Sequence, residues 1–483
     1  MNPSKRMLIF NKAFNITEIR AKNQESSILL RKNKRFEHLG NKRSLILPGG
    51  GYRSEQKYDI SQIPFNLHST YPELFHSSST FSLYLTTFVS CENSSLLIYF
   101  VEGLRKIISS ENRPSRDLIF PEVPKKLASL MGFNDFTKEC IWCLINLASE
   151  TDVKMLIEIG VVEAVIETMT TNDEEILDLC IWCLANISGD SIEARNVVLE
   201  TGIIDKLLEL LESPLCMQNC AWCISNLCKG KPYPPMKILA KVFEKVKKLM
   251  DIKDEVLAGF ILDIVFCITN TEAIKNFDWS FVEKVYKHLD TKKQSKIDFI
   301  ALKIIGNIIV YTDEIIEILV EKGMLDKLLY YLNCYDIGKC KESLLILSNI
   351  CTGPKKCLLQ VIEHEVFTKA VSFLISENKD LKIEAMWIVK NICELKEAQY
   401  KFLQTNVICD LIKIMNDDYN EIIDMTLDIF RYLLRNDSLK DLFDQIGGTE
   451  ALTKLQKNGN LAIYMKSSMM ISEFYEFDNC NDL

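Results

Sequence analysis

From about Pro72 onward, apolar residues recur every three or four positions in short runs, as in "LLIYFVEGLRKIIS" (residues 96–109) and "VVEAVIETM" (residues 161–169). That spacing keeps apolar side chains on one helical face, and no alternating strand pattern interrupts it. The prediction is an all-α chain of short amphipathic helices. Before Pro72 the pattern changes. "ITEIRAKNQESSILLRKNKRFEHL" (residues 16–39) is rich in helix formers and contains no Pro or Gly, so it can form a helix when bound to a partner. "PGGGYRSEQ" (residues 48–56) breaks it, and the polar, Pro-punctuated stretch to about Tyr71 reads as a flexible linker.

The helices repeat. "CIWCLINLASE", "CIWCLANISGD" and "CAWCISNLCKG" begin at Cys140, Cys180 and Cys220, a period of 40 residues. Each holds W-x-x-x-N: Trp142/Asn146, Trp182/Asn186 and Trp222/Asn226. Glycines at Gly160, Gly202 and Gly323 separate apolar helices and predict tight corners. Further copies follow at similar steps. Phe266 falls near the Asn position of a degraded unit, Asn307 follows Lys303 at the Trp position, and Asn349 follows Leu345. Trp387/Asn391 restores the motif, Tyr432 marks another copy, and "FDQIGGTEALTKLQKNGN" begins the last. A period near 40 predicts a right-handed α-solenoid of about ten armadillo repeats, preceded by a basic N-terminal arm. The expected organisation is an arm over 1–48, a linker over 49–71, the solenoid over 72–472 and an acidic tail over 473–483.

A C-x-x-C within each motif raises the question of zinc or thiol redox chemistry. The cysteine face of each helix continues into Leu147, Ile187 and Leu227, which makes it the core face and the cysteines small hydrophobes. Helices ~8–10 Å apart cannot share a tetrahedral ion with ~2.3 Å bonds, and no histidine is near in sequence. No metal site and no cofactor are expected. The 17 cysteines read as reduced thiols. No apolar run approaches the ~20 residues of a membrane span, and the first residues lack the apolar core of a signal peptide.

Asn is a poor helix former and costly to bury unpaired, yet it recurs at one register, four times with Trp one turn before. Stacked repeats would align indoles and carboxamides along one groove. Carboxamides can pair with the backbone of an extended peptide, and indole faces form slots for long cationic side chains. Asp190, four residues after Asn186, is placed to receive an ammonium group. The ligand so predicted is an extended Lys/Arg-rich peptide. Charge agrees with this. Residues 1–43 carry 11 Lys/Arg against three acids, a net +8 on a chain of net −9, so the rest carries −17. A basic arm on an acidic body points to acidic partners for the arm, its own body included, and away from direct nucleic-acid binding by the whole.

"IWCLANISGDS", "AWCISNLCKGKPYPP", "GLRKIISSENRPS" and "GGTEALTKLQKNGNLAIYMKSSMMISEFYE" resemble successive repeats of importin-alpha (karyopherin-alpha), the adaptor for nuclear localisation signals, and the chain looks like a divergent member. "ITEIRAKNQESSILLRKNKRFEHLGNKRS" resembles that family's importin-beta-binding segment. The resemblance implies a major peptide site at Trp142, Asn146, Trp182, Asn186, Asp190, Trp222 and Asn226, with Asp190 pairing the key cargo lysine. It implies a minor site at Asn307, Glu342, Asn349, Glu384, Trp387 and Asn391. It also implies an importin-beta-binding arm carrying Arg20, Lys22, Arg31, Lys32, Lys34 and Arg35, with Lys42 and Arg43 as an internal signal that occupies the groove. Implied partners are cargo proteins, importin-beta and a nuclear export receptor for recycling, with shuttling between cytoplasm and nucleus and no membrane insertion. Departures are Leu345 in place of a Trp, Met155 in place of a hydroxyl, and an Arg cluster thinned to Arg20-Ala21-Lys22-Asn23.

No nucleophile–base pair, phosphate loop or metal set marks an enzyme. Two other readings stand beside the adaptor: an armadillo scaffold for another extended partner in signalling or adhesion, and a zinc or redox enzyme built on the C-x-x-C pairs.

Overall fold

The computed structural model describes residues 78–109, 118–132, 134–149, 153–271, 277–289 and 296–475. The basic arm and the linker lie outside these residues, and so do Arg20, Lys22, Arg31, Lys32, Lys34, Arg35, Lys42 and Arg43. The chain divides at residue 273 into two compact units.

The N-terminal unit contains α1 (Ser78–Ser90), α2 (Ser94–Ser109), α3 (Glu122–Leu130), α4 (Asn134–Ala148), α5 (Val153–Glu158) and α6 (Val161–Thr168). It continues with α7 (Glu174–Ser188), α8 (Ile192–Glu200), α9 (Ile204–Leu210), α10 (Met217–Cys228), α11 (Met236–Val246) and α12 (Glu255–Thr269). A full repeat is a short first helix, a second, and a longer third, as in α5–α6–α7. Gly160 and Gly202 make the first corner of their repeats at φ +84° and +75°, where a side chain is strained. The third helix starts where a carboxylate caps it: Asp173 accepts from the N–H groups of Glu175 and Ile176, and Asp254 from that of Leu257. Successive third helices α2, α4, α7, α10 and α12 pack side by side. Each therefore touches neighbours on several sides, and every residue from Cys180 to Gly189 is buried.

The C-terminal unit runs through α13 (Trp279–Lys287), α14 (Lys296–Ile308), α15 (Asp313–Glu321), α16 (Met324–Leu332), α17 (Ile337–Ile350), α18 (Lys355–Glu363) and α19 (Glu365–Val371). It ends with α20 (Lys379–Ile392), α21 (Lys396–Leu403), α22 (Val407–Ile414), α23 (Asn420–Leu433), α24 (Asp437–Gln445), α25 (Gly448–Leu455) and α26 (Leu461–Tyr475). Its third helices are α14, α17, α20, α23 and α26, again packed in sequence. The described residues thus contain ten third-position helices and no strand. The architecture is an armadillo-type α-solenoid. The last helix extends three residues past the expected boundary at 472, and Glu473 is held there by Arg431 at 3.1 Å.

Candidate functional site

The motif cysteines Cys140, Cys143, Cys180, Cys183, Cys220 and Cys223 are buried, as are Leu147, Ile187 and Leu227 on the same faces. Burial pushes the Cys183 and Cys223 thiols up to about 12, so neither is a thiolate near neutrality. Cys143 Sγ lies 3.7 Å from the Val101 carbonyl oxygen of the preceding third helix. These are packed core thiols.

The indoles are less exposed than a groove-lining role alone predicts. Trp182 is 2% exposed and Trp222 6%, while Trp142 and Trp387 are half-buried. The reason is lateral: each central third helix lies between two others, so a side chain leaving the core face meets the adjacent repeat. Trp142 and Trp182 show this, with ring centroids 6.0 Å apart and planes tilted by 59°. That spacing leaves no room for an aliphatic stem between the two rings, which must part before a cation enters. Arg105, at the Trp register of the first repeat, stands 6.0 Å from the Trp142 ring and pairs with Glu139.

The carboxamides do a job that periodicity alone did not reveal. Asn186 Nδ2 donates to the Ile145 carbonyl at 3.0 Å, and Asn226 Nδ2 to the Ala185 carbonyl at 2.9 Å. Asn391 Nδ2 donates to the Ser348 carbonyl at 2.9 Å, and Asn146 Nδ2 to Ser109 Oγ at 3.0 Å. Each Asn therefore ties its third helix to the one before. This explains why a poor helix former recurs there: its amide donor is satisfied within the stack. In these four, one N–H of the carboxamide is engaged within the stack.

Asp190 follows α7 in a turn, half-buried, and among the described residues no cation pairs with its carboxylate. The next loop is fixed by a residue the sequence did not single out. Arg195, 2% exposed, donates to the carbonyls of Lys229, Gly230 and Pro232 at 2.6, 2.9 and 2.7 Å. It clamps the segment after α10, one repeat away.

In the C-terminal unit, α14, α17 and α20 carry Asn307, Asn349 and Asn391 at one register. Asn349 Nδ2 and Trp387 Nε1 are buried without a hydrogen-bond partner among the described residues. Glu342 and Glu384 stand three residues before Leu345 and Trp387. Glu384 is 2% exposed, and its carboxyl is pushed up to about 8. Burial is the main cause; Glu342 and Asp380 add to it, and Lys341 opposes it. Burial also raises Glu342, against Lys303 and Lys341. Buried Glu384 and half-buried Glu342 have no ion-pair partner among the described residues, and a pair of acids so placed favours an incoming cation.

Comparison with known proteins adds to this geometry. Importin subunit alpha-B of Dictyostelium discoideum is 29% identical over 259 residues, 51% of this chain and 47% of that protein. Importin subunit alpha-3 of Arabidopsis thaliana is 25% identical over 389 residues, 78% of this chain and 63% of that protein. What the chain is similar to in both cases is an importin alpha subunit. It spans about half the length of several of the importin alpha relatives it matches. No family model matches it. The crystal structure of an engineered protein superposes with a TM-score of 0.70 at 22% identity, covering 81% of this chain and 98% of the other, a likeness of fold.

The motif residues are coupled in two ways. The N-terminal unit carries Trp142, Trp182 and Trp222 beside an Asn register that links successive third helices, with Asp190 four residues after Asn186. The C-terminal unit has Trp387, Asn391 and the Glu342/Glu384 pair, with Lys303 and Leu345 where two further indoles would stand. The sequence places Lys303 at an indole position, and Lys390 is a cation that the motif reading did not single out.

Proposed function

We propose that this chain is a nuclear import adaptor. It binds Lys/Arg-rich localisation signals on the Trp/Asn face of α4, α7 and α10, and residues 1–48 recruit importin-beta. It works without a cofactor, as a binding protein rather than an enzyme. The observation that carries the reading is Asp190, a carboxylate without an ion-pair partner among the described residues, just past the end of α7 and its indole–carboxamide register. An unpaired acid there gains most from an ammonium group. The relatives' name, importin subunit alpha, agrees with the role. The net charge of −17 beyond residue 43 favours cationic cargo. Release of the arm, shuttling between cytoplasm and nucleus, and return through an export receptor complete the proposed cycle. No helix among the described residues is long and apolar enough to cross a membrane.

A fluorescent Lys-rich signal peptide titrated into the full chain tests this. Asp190→Lys should weaken binding by at least about tenfold through charge reversal. Deleting residues 1–50 should tighten binding a few-fold, because a tethered Lys42-Arg43 competes at an effective concentration of about millimolar. Adding importin-beta to the full chain should reproduce the deletion. Equal affinity of the wild type and Asp190→Lys would overturn the assignment of the site.

A further inference from the structure

Lys390 lies three residues after Trp387 and one before Asn391, on the helical face that carries the indole. Its ammonium stands 5.2 Å from the centroid of the Trp387 ring and 2.8 Å from Asp428 Oδ2. Asp428 holds on α23 the register that Trp387 holds on α20, 41 residues earlier. The other oxygen, Asp428 Oδ1, meets Lys466 of α26 at 2.6 Å, and Lys466 also meets Asp424 at 2.7 Å. Both oxygens of Asp428 are therefore engaged. The position between the Trp387 and Asp428 registers already contains what such a position attracts: a cation over an indole face, with a carboxylate beyond it.

The neighbouring position is different. Between the Leu345 and Trp387 registers, Glu342 and Glu384 form no ion pair among the described residues. Lys341, beside Glu342, is engaged with Asp380 at 2.6 Å, and Lys382, two residues before Glu384, with Asp417 at 2.5 Å. Beyond Leu345 lies Lys303, at the indole register of α14, its ammonium over the Phe299 ring at 4.2 Å. One carboxylate-lined position is thus bounded on each side by a lysine of the protein itself.

We propose that the C-terminal unit accepts a single foreign cationic side chain, at Glu342 and Glu384, and rejects a second beside it because Lys390 already fills the Trp387–Asp428 position. The proposal rests on the peptide-adaptor reading and names the specificity of its second site. Two ammonium groups within a few ångströms repel, and displacing Lys390 would leave Asp428 with one partner instead of two. Side chains two apart on an extended peptide point the same way, ~6.6 Å apart, so the rejected pattern is Lys-x-Lys.

The test uses the full chain carrying Asp190→Lys, so that binding reports the C-terminal unit. Two peptides are compared, one with an isolated lysine among neutral residues and one with Lys-x-Lys in the same frame. With Lys390 present, the two should bind within about twofold of each other. With Lys390→Ala, Lys-x-Lys should gain about three- to tenfold over the isolated lysine, the range of one cation–indole contact. Lys390→Gln should behave like Lys390→Ala, and Lys390→Arg like the parent, which separates the lost charge from any loss of folding. A preference for Lys-x-Lys with Lys390 in place, or no gain on removing it, overturns the proposal. Binding of neither peptide to the Asp190→Lys chain also overturns it. If both peptides still bind when Asp190 is intact, the adaptor reading survives that result; if neither binds there, both fail.

Discussion

Truncating Trp182 to Ala separates a core role from a ligand role. The indole is 2% exposed and lies against Trp142 at 6.0 Å. A side chain of this kind buries about 150–250 Å². At about 25 cal/mol per Å² the lost burial is about 4–6 kcal/mol, and truncations of buried aromatics cost about 3–5 kcal/mol. The contact with Trp142 adds about 1 kcal/mol. Trp182→Ala should therefore destabilise the α4–α7–α10 region by about 4 kcal/mol, whatever it does to a peptide. Half-buried Trp142, truncated in the same way, should cost about half as much. Because repeat arrays open locally, a single unfolding midpoint is the wrong measure, and amide hydrogen exchange resolved by helix is the right one. Exchange in α4 and α7 should rise by about two to three orders of magnitude, while α20 and α23 stay as in the wild type. Exchange in α4 and α7 within about threefold of wild type, with peptide binding lost, would refute the argument from burial and return Trp182 to a purely ligand-facing role.

Glu384, with its carboxyl pushed up to about 8, makes the second site depend on pH. A cation gains from the ionised form only, so an isolated-lysine peptide should bind this unit more tightly as pH rises through about 8, and Glu384→Gln should flatten the profile. The same shift has a stability consequence of opposite sign. The folded chain keeps a proton that the unfolded chain releases near the usual carboxyl value, so Glu384 lowers stability progressively as pH rises from there to about 8, and Glu384→Gln should abolish that slope in urea titrations. Arg195→Ala removes three charge-assisted bonds to carbonyls, which should cost about 3 kcal/mol locally and make the segment after α10 the first site of limited proteolysis; an unchanged cleavage pattern would count against the clamp.

What could be read from the sequence followed local rules. The corner at Gly202 was visible because glycine tolerates φ +75° where other residues do not. The cysteine faces were visible because a helix repeats its faces every three to four residues, and Cys180 and Cys183 fall on the one that continues into Ile187. What remained hidden involves contacts between repeats. The burial of Trp182 depends on Trp142, and the Lys390–Asp428 bond joins residues 38 apart. Arg195 reaches carbonyls 34, 35 and 37 residues away, which no helical period brings to attention. The Asn register was visible as an anomaly, a polar residue where propensity disfavours one. Its explanation needed the neighbouring carbonyl. Asp190 stands between these cases: its place at the helix end was readable, while its lack of an ion pair among the described residues was not.

The Asn links have a further consequence for how such a chain can change over generations. The acceptor in three of the four is a main-chain carbonyl, belonging to Ile145, Ala185 and Ser348, three unlike residues. A backbone oxygen survives any substitution at its own position. Only the donor needs to stay fixed, so the interface tolerates drift on one side without a compensating change on the other. A stack joined in this way can also gain or lose a unit, since an incoming repeat needs one correctly placed carboxamide and finds its acceptor already in place.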